Sequence, residues 1–518
     1  MQQYRTHTCG ELIKEDKDKN VILSGWVNSR RDHGGLIFVD LRDRNGLTQV
    51  TFDPKVSEES WKTAEDLRDE YVIRIEGKVI PRPDNMINSK LKTGEVEVEA
   101  EKIEILSESK TPPFEVEEIQ GIDKAKDVKE DLRLKYRYLD IRRKKMRDNL
   151  KMRHKIIKFM RDYLDGEDFW EIETPSLTKS TPEGARDFIV PSRLHQGKFY
   201  SLPQSPQQYK QLLMVGGVEK YFQIARCLRD EDQRGNRQLE FSQLDMEMSF
   251  VNQDDILSLI EKMITELVGE LSDKEIMFKP FPRLNYDEIM KKYGVDKPDL
   301  RYGLEIEDIS EITKGCGFGV FANAIKEGGV VRAICAKGAA KFSRAEIDKL
   351  TEYAKEFGAK GLAYIVIKSE SQKSKVFDLQ SPIVKFLGDD LSGEIVKRMK
   401  GEVGDIIFFG ADSEKIVRET LGQVRCELAK KLDLIDDNKL AFAFVVNWPL
   451  FEEEFENGHF APAHHMFTMP RKEDLKLLES DPEKTKSYQH DLVLNGSEVA
   501  GGSIRIHDRK IQEKIFDL

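Results

Sequence analysis

The chain has 518 residues, and its 83 lysines and arginines stand against 94 aspartates and glutamates, which gives a formal net charge of −11. This length exceeds what one hydrophobic core supports, so we expect three or four domains, and the negative balance excludes a generally basic surface for polyanions. Five scattered cysteines without a C-x-x-C pair exclude a disulfide framework and a zinc ribbon. The longest apolar run, "LAFAFVV", is too short to cross a membrane and no signal-peptide core is present, so we expect a cytoplasmic protein without membrane contact.

Short alternating stretches between Val21 and Leu106 predict a small all-β barrel, most simply of five strands. A polar segment with a Pro-Pro pair follows and indicates a hinge. From Asp140 to Leu164, apolar residues at helical spacing predict a long amphipathic helix with a basic exposed face, ended by Gly166. The expected domains are the barrel (1–107), the hinge (108–138), a discontinuous sheet domain (139–300 and 413–518) and an inserted α+β unit (301–412).

Charge is concentrated between two apolar runs in the stretch "RCLRDEDQRGNRQLEFSQLDMEM". In its second half, a period of two places Gln243, Asp245 and Glu247 on one face of a strand. The first half predicts a strand that ends near Arg229. The residues between the two strands form a hairpin loop that can fold back over the polar face. Surface ion pairs on a solvated sheet explain this stretch alone equally well, and each would contribute at most about 1 kcal/mol.

Three more stretches carry charged or hydrogen-bonding side chains of the same kind, two of them beside glycines. Buried charge without a partner is costly, so four such stretches beside buried strands favour a functional site over a merely solvated sheet face. The three stretches are "LNGSEVAGGSIRIHD" with Glu498 and Arg505, the glycine-containing loop "TPEGARDF" with Glu183, and the helix entry "QSPQQYK" with Ser205, Gln207 and Lys210.

These stretches resemble the motifs of class II aminoacyl-tRNA synthetases, and within that class the bacterial-type aspartyl-tRNA synthetases. "FWEIETP" is similar to the end of the first, dimer-forming motif, and the charged hairpin is similar to the second motif. "TPEGARDF", "QSPQQYKQLL", "HHMFTMP" and "GSEVAGGSIRIHD" match the aspartate branch, and 301–412 resembles the bacterial insertion. The resemblance implies an α+β multidomain fold with an N-terminal OB-fold barrel, an antiparallel-sheet catalytic domain and an inserted α+β domain.

The resemblance also implies a homodimeric ligase that activates L-aspartate with ATP and Mg²⁺ and transfers it to the 3′ end of tRNA-Asp. Arg229 and Glu231 are the implied catalytic residues, and Arg229 would contact the α-phosphate and the attacking carboxylate. Stabilising charge in such a transition state is typically worth about 3 kcal/mol or more. The implied ATP-binding residues are Arg229, Asp230, Glu231, Gln238 and Glu498, and the implied Mg²⁺ ligands are Asp491 and Glu498.

Selecting aspartate over asparagine requires cations, which an amide cannot satisfy equally. By resemblance, Arg505 and Lys210 hold the side-chain carboxylate, and His464 closes over it. A zinc site at His464 and its neighbours is disfavoured because no cysteine or carboxylate has ligand spacing beside them. The remaining implied aspartate-binding residues are Glu183, Ser205, Gln207, Arg229 and Asp245.

The barrel resembles the anticodon reader of this family. Arg31, with Arg30, would contact phosphates, Phe38 would stack on a base and Gln49 would bond to a base edge. Taken alone, such residues in a barrel are more often structural. His33 stands where strictly discriminating relatives tend to have leucine, which predicts that tRNA-Asn is also charged.

The glycine-rich third motif of the class, of the form G-x-G-x-x-R, does not occur before the sequence reaches "QEKIFDL". We expect a C-terminally incomplete piece, rather than a degenerate synthetase, and therefore little ATP–pyrophosphate exchange by these 518 residues. The alternative is a non-catalytic RNA-binding or amino-acid-sensing protein built from synthetase parts. A smaller departure is Asp168, where the resemblance implies glycine.

Overall fold

The computed structural model describes residues 4–116, 118–119, 122–123, 128–181, 183–233, 235, 237–370, 377–456 and 459–518. Two compact units divide the chain, Met1–Ile157 and Lys158–Leu518. Part of the predicted hinge, at 117, 120–121 and 124–127, lies outside the described residues. The domain boundaries drawn from the sequence stay predictions.

The first unit contains a closed barrel of five strands in the order β1-β2-β3-β5-β4, which confirms the predicted five-stranded barrel. Side chains along each strand alternate between the barrel interior and its outer face. In β2, Ile37, Val39 and Leu41 are fully buried, whereas Phe38 and Asp40 between them lie on the outer face. The elements of this unit are β1 (Asn20–His33), β2 (Leu36–Arg42), β3 (Leu47–Phe52), α1 (Glu58–Glu65), β4 (Val72–Pro81), β5 (Val96–Ser107), β6 (Glu118–Ile119), β7 (Ile122–Asp123), α2 (Glu130–Lys135) and α3 (Arg137–Asp140).

The second unit is built on two sheets that carry the charged stretches and on a third that belongs to the inserted segment. Its first elements, up to the insertion, are α4 (Lys144–Gly166, beginning in the first unit), β8 (Trp170–Glu171), β9 (Ile189–Pro191), β10 (Phe199–Ser201), α5 (Gln207–Val215), β11 (Lys220–Leu228), β12 (Glu240–Met248), α6 (Gln253–Leu271), β13 (Glu275–Ile276), β14 (Arg283–Asn285) and α7 (Tyr286–Tyr293).

The inserted segment and the return to the charged sheets complete the chain. Short 3-10 turns occur at Lys14–Asp16, Asp84–Met86, Ala339–Lys341, Lys472–Asp474 and Pro482–Lys484. The remaining elements are β15 (Ile306–Asp308), α8 (Ser310–Thr313), α9 (Gly319–Lys326), β16 (Val330–Ala336), α10 (Arg344–Lys355), β17 (Ala363–Glu370), β18 (Phe377–Gln380), α11 (Val384–Leu387), α12 (Asp389–Arg398), β19 (Ile406–Asp412), α13 (Glu414–Lys431), β20 (Lys439–Leu440), β21 (Phe442–Val446), β22 (Phe451–Glu456), β23 (His459–Pro462), α14 (Leu477–Ser480), β24 (Gln489–Leu494), β25 (Ser497–Ser503) and α15 (Arg509–Asp517).

The charged stretches fall on two separate hydrogen-bonded sheets, β12-β11-β8 and β14-β21-β24-β25. Helix α6 shares an apolar cluster with the sheet β12-β11-β8, and the Gln253 amide at its first turn donates to the carbonyl oxygens of Tyr488 at 3.1 Å and Gln489 at 3.4 Å beside the second sheet. The inserted segment forms its own antiparallel sheet in the order β15-β16-β19-β17-β18, covered by helices that include α13. The multidomain α+β architecture expected from the sequence is confirmed.

Candidate active site

The hairpin β11–β12 and helix α5 provide one wall of the candidate site. Registered pairing sets Gln223 opposite Asp245 and Ala225 opposite Gln243, so the polar face predicted from the period of two is formed by both strands. Helix α5 packs against this hairpin and places Lys210 over it, where the lysine is only 7% exposed. A lysine is rarely buried to this extent without carboxylate partners.

Lys210 and Arg505 meet at the same carboxylate. The Lys210 ammonium lies 2.7 Å from Asp245 Oδ1 and 3.4 Å from Glu247 Oε2. The Arg505 guanidinium donates to Glu247 Oε1 at 3.4 Å and to Gln207 Oε1 at 2.8 Å. Two cations from distant parts of the chain therefore converge on one pocket.

The Arg505 guanidinium is held in a fixed plane. It lies over the ring of Phe467 at 4.3 Å and donates to the Ser503 hydroxyl at 3.3 Å. Sequence reasoning placed Glu247 on the right strand face but gave it no role, and it missed Phe467 entirely. The alternation along β12 signals Glu247, whereas Phe467 reaches Arg505 only through tertiary packing.

Asp245 keeps one acceptor open. Its Oδ2 is buried and receives no hydrogen bond of normal geometry from the described residues, because the nearby Tyr221 hydroxyl donates instead to Gln223 Oε1 at 3.0 Å. Burial, reinforced by the neighbouring Glu247 carboxylate, raises the pKa of Asp245, against the opposing effect of Lys210. The pocket thus holds an acceptor that a cationic ligand group would satisfy.

Glu183 and Ser205 also belong to this pocket. The Ser205 hydroxyl donates to Glu183 Oε2 at 2.6 Å, and burial raises the pKa of the Glu183 carboxyl. The Gln204 amide fixes the loop that carries Glu183, because it donates to the carbonyl oxygen of Ala185 at 2.8 Å. The backbone N–H of Gln207 donates to the Ser205 hydroxyl at 3.3 Å, which joins the loop to the start of α5.

Arg229 follows the last residue of β11. Its guanidinium lies over the Phe241 ring at 5.1 Å and donates to the Gln204 carbonyl oxygen at 3.5 Å. It lies near the pocket that contains Lys210 and Glu183, since its charge acts on both Glu183 and Cys227. The arginine is half-buried.

The other ATP-binding residues implied by the resemblance occupy the hairpin loop and are less closely gathered. Asp230 lies 3.8 Å from Arg186 Nε, and Glu231 lies 3.7 Å from the Arg237 guanidinium. Gln238 is exposed. The structure does not bring these three side chains onto Arg229.

Asp491 and Glu498 face each other across the hairpin β24–β25. A Cβ added to Gly501 would lie 3.0 Å from Asp491 Oδ1 and 3.3 Å from Glu498 Oε1, so the two carboxylates flank this glycine. Burial and the charge of Glu498 raise the pKa of Asp491 to about 7. The Lys297 ammonium, which sequence reasoning missed, lies 3.0 Å from Glu498 Oε2.

These two carboxylates suit a hard divalent cation. Mg²⁺ takes oxygen ligands and is usually bound by one or two carboxylates together with substrate phosphates. Within the described ranges, no set of three or more histidine, cysteine, aspartate or glutamate side chains forms a cage for a metal. The pair therefore fits a metal that arrives with a phosphate ligand, and it does not form a complete protein site.

The two adjacent histidines point to different ends of the site. His464 packs edge-on against Trp448 at 4.9 Å, and burial lowers its pKa, with the charges of Glu498 and Lys297 nearby. His465 stacks on Phe467 at 4.8 Å. Partial burial and the positive charges of Arg505 and its neighbours lower the pKa of His465 to about 4. His465, rather than His464, is the histidine that lies by Arg505.

On the barrel, the predicted RNA-contacting residues share the outer face of the sheet. The Arg31 guanidinium donates to Asp40 Oδ1 at 2.9 Å and to Gln49 Oε1 at 3.2 Å, and the Gln49 amide donates to Glu97 at 2.5 Å. Phe38 lies opposite Arg31 in the β1–β2 pairing. His33 is exposed at the end of β1. Arg30 instead donates to the carbonyl oxygen of Ala64 at 2.9 Å, which gives it a structural contact.

Comparison with protein families matches both parts of the chain. The model described as "tRNA synthetases class II (D, K and N)" matches residues 129–518, and the model described as "OB-fold nucleic acid binding domain" matches residues 21–106. No helix within the described ranges is both long and apolar enough to span a membrane.

Curated relatives are similar over nearly the whole chain. An aspartate--tRNA(Asp/Asn) ligase of Syntrophomonas wolfei is 53% identical, over 99% of this chain and 85% of its own length. An aspartate--tRNA ligase of Geobacillus kaustophilus is 52% identical with the same coverage, 99% and 85%. Among solved structures, an aspartyl tRNA synthetase from Entamoeba histolytica has a TM-score of 0.55 at 19% identity, over 98% of this chain and 80% of that one, a likeness of fold.

Proposed function

Because the chain belongs to the class II tRNA synthetases of the D, K and N group, we propose that it is an aspartate–tRNA ligase that uses ATP. The observation that carries this proposal is the convergence of Lys210 and Arg505 on the Glu247 carboxylate in a buried pocket. Two cations are what a side-chain carboxylate needs and what an amide cannot use equally. The open Asp245 oxygen, with Glu183 and Ser205, supplies acceptors for the α-ammonium group.

In the first half-reaction, a carboxylate oxygen of aspartate attacks the α-phosphorus of ATP, and pyrophosphate leaves. Arg229, at the end of β11, neutralises the charge that develops on the α-phosphate oxygens, and no protein nucleophile is required. In the second, the 3′-terminal ribose hydroxyl of the tRNA attacks the aspartyl carbonyl and AMP leaves. The roles of Asp230, Glu231 and Gln238 in holding ATP stay predictions, since these side chains contact other loop residues or solvent.

Asp491 and Glu498 are the residues that would hold Mg²⁺. When bound, Mg²⁺ supplies charge neutralisation on the phosphate oxygens. The protein itself holds the two carboxylates on adjacent strands, where they flank Gly501.

A non-catalytic RNA-binding or amino-acid-sensing role is not favoured. The relatives that cover 99% of the chain carry the names of ligases, at 53% and 52% identity. The buried Asp245 oxygen that lacks a hydrogen bond within the described residues would also stay unsatisfied in a protein that binds RNA through the barrel alone.

The aspartate pocket is tested by calorimetric titration of L-aspartate and L-asparagine into the protein. Arg505→Lys keeps the charge but loses the planar fork that Glu247, Gln207 and Ser503 hold in place. We expect aspartate binding to weaken about 10- to 100-fold, the range of one or two lost charge-assisted hydrogen bonds. Arg509→Lys, four residues away on the exposed face of α15, is the matched control. Equal aspartate affinity in Arg505→Lys and the wild type would refute the pocket.

We further infer that the protein aspartylates tRNA-Asn as well as tRNA-Asp. His33 is exposed at the end of β1, and the S. wolfei relative is named for both tRNAs. The test is charging of purified tRNA-Asp and tRNA-Asn transcripts by the wild type and by His33→Leu. The variant should lose tRNA-Asn charging more than tRNA-Asp charging, which serves as its internal control. Charging of tRNA-Asp by the wild type without charging of tRNA-Asn above background would end the proposal of dual specificity.

A homodimer is the proposed assembly. Large exposed apolar side chains are frequent between residues 170 and 250, and a second subunit would remove such side chains from water. They are Trp170, Leu177, Ile189, Leu194, Phe199, Tyr200, Leu212, Val215 and Phe250.

A further inference from the structure

The segment 294–303 connects α7 to the inserted sheet and is fixed to α13 by backbone contact. Gly294 ends α7 with φ +70°, and a Cβ there would lie 2.4 Å from the Arg418 carbonyl oxygen. A Cβ on Gly422 of α13 would lie 2.8 Å from the Gly294 carbonyl oxygen. Two glycines therefore allow these backbones to touch, and neither position tolerates a side chain without a shift.

Arg425 fixes the far end of the same segment. It is fully buried and donates to the carbonyl oxygens of Asp299, Tyr302 and Gly303 at 2.7, 3.1 and 3.2 Å. Its guanidinium lies over the rings of Tyr293 at 4.7 Å and Tyr302 at 4.4 Å. The segment is therefore held at both ends by the helix that also packs into the core of the inserted sheet.

The segment held in this way presents Lys297 to the candidate metal site. The ammonium lies 3.0 Å from Glu498 Oε2 and 3.5 Å from Asp296 Oδ2. The segment also packs on the β24–β25 turn, where a Cβ on Gly496 would lie 3.3 Å from Asp299 Cβ. Lys297 is thus positioned by the fold, with 31% of its side chain exposed, and is not a freely moving surface lysine.

We propose that Lys297 is a resident counter-cation of the Asp491–Glu498 pair, and that an incoming divalent metal must displace its ammonium from Glu498. This inference rests on the proposed metal site. In the ligand-free protein two carboxylates that flank one glycine repel each other, and Lys297 is the cation that lies against them. A metal placed between the same carboxylates would be repelled by that ammonium. Helix α13, which also packs into the core of the inserted sheet, thereby positions the lysine that sets how tightly the active site binds metal.

The test is binding of Mn²⁺, as a probe for Mg²⁺, to the full chain without ATP, measured by electron paramagnetic resonance. Lys297→Met should bind Mn²⁺ about three- to tenfold more tightly, because a partly screened positive charge beside the site is gone. Lys297→Arg keeps that charge and should retain the wild-type affinity within about twofold. Lys292→Met is the matched control. Lys292 belongs to α7 and its ammonium lies 3.7 Å from Glu305, so this variant removes one positive charge but leaves Lys297 in place.

Unchanged or weaker Mn²⁺ binding by Lys297→Met, with a wild-type circular dichroism spectrum, would overturn the proposal. Tighter binding by Lys292→Met to the same extent would also overturn it, because net charge alone would then explain the effect. Glu498→Gln distinguishes the two levels of inference. If Glu498→Gln binds Mn²⁺ as tightly as the wild type, the proposed metal site and the proposed role of Lys297 are both wrong. Titration with aspartate tests the amino-acid pocket separately.

Discussion

At the scale of single residues, Asp168 should lower the stability of the protein, because it stands where the resemblance implies glycine. It follows α4 and adopts φ +67°, a left-handed conformation in which a Cβ is unfavourable. The adjoining Phe169 N–H donates to the Leu164 carbonyl oxygen at 3.0 Å, as in a helix C-terminal turn that glycine favours.

We therefore expect Asp168→Gly to stabilise the protein by about 0.5–1 kcal/mol, because glycine adopts this conformation without strain. The measurement is the urea midpoint of the wild type, Asp168→Gly and Asp168→Ala. Alanine removes the same charge but keeps the strained Cβ. If alanine stabilises as much as glycine, the backbone explanation is wrong and the carboxylate is the cause.

His465 makes stability depend on pH. Its pKa is lowered to about 4 in the folded protein, whereas an unfolded histidine titrates near 6.5. Between these values the unfolded state binds more protons, so the free energy of unfolding decreases as pH falls from about 6.5 to 4.

His465→Phe preserves the stack on Phe467 and removes this titration. Between pH 7 and 5 the wild type should lose about 1 kcal/mol more stability than the variant, a figure reduced because the ring is partly exposed. Urea unfolding at a series of pH values measures the difference. His195→Phe, in an exposed turn, is the control, and an equal change in that variant would contradict the assignment to His465.

At the scale of elements, the sequence predicted what local periodicity determines. Alternation gave the five-stranded barrel and placed Asp245 and Glu247 on one face of β12, because the side-chain period of a strand is independent of the rest of the fold. The meeting of Arg505 with Lys210 in one pocket was expected only from the resemblance. The position of Lys297 was not predicted, because it depends on the backbone contact between Gly294 and Gly422, which no local pattern encodes.

That contact gives a prediction for the junction of α7 and α13. Gly294→Ala should destabilise the protein by about 2–4 kcal/mol, because it combines left-handed strain with a Cβ placed 2.4 Å from the Arg418 carbonyl oxygen. Gly315→Ala is matched in backbone conformation, at φ +75°, but no described atom lies within 4 Å of its added Cβ. It should cost only about 1–2 kcal/mol. Thermal unfolding compares the two, and equal losses would show that strain, not packing, fixes the junction.

At the scale of the whole molecule, the proposed dimer connects assembly to the aspartate pocket through α5. This helix buries Lys210 but leaves Leu212 64% and Val215 82% exposed on its other side. Phe250, in a left-handed conformation with φ +60°, is 93% exposed. A large aromatic side chain held in a strained conformation and facing solvent indicates a surface that a partner covers.

The double variant Leu212→Glu/Val215→Glu should convert a dimer to monomers, because two carboxylates would be buried in an apolar interface without partners. Static light scattering at micromolar concentration measures the mass. Aspartate affinity should fall at the same time, by about tenfold if loosening α5 costs Lys210 one charge-assisted hydrogen bond. Val403→Glu makes the same kind of change at an exposed position, 53% accessible, on the inserted unit and should alter neither property. The assignment of this face would be refuted by a monomeric wild type or by a double variant that stays dimeric. If the double variant is a monomer with full aspartate affinity, α5 holds Lys210 without help from a second subunit.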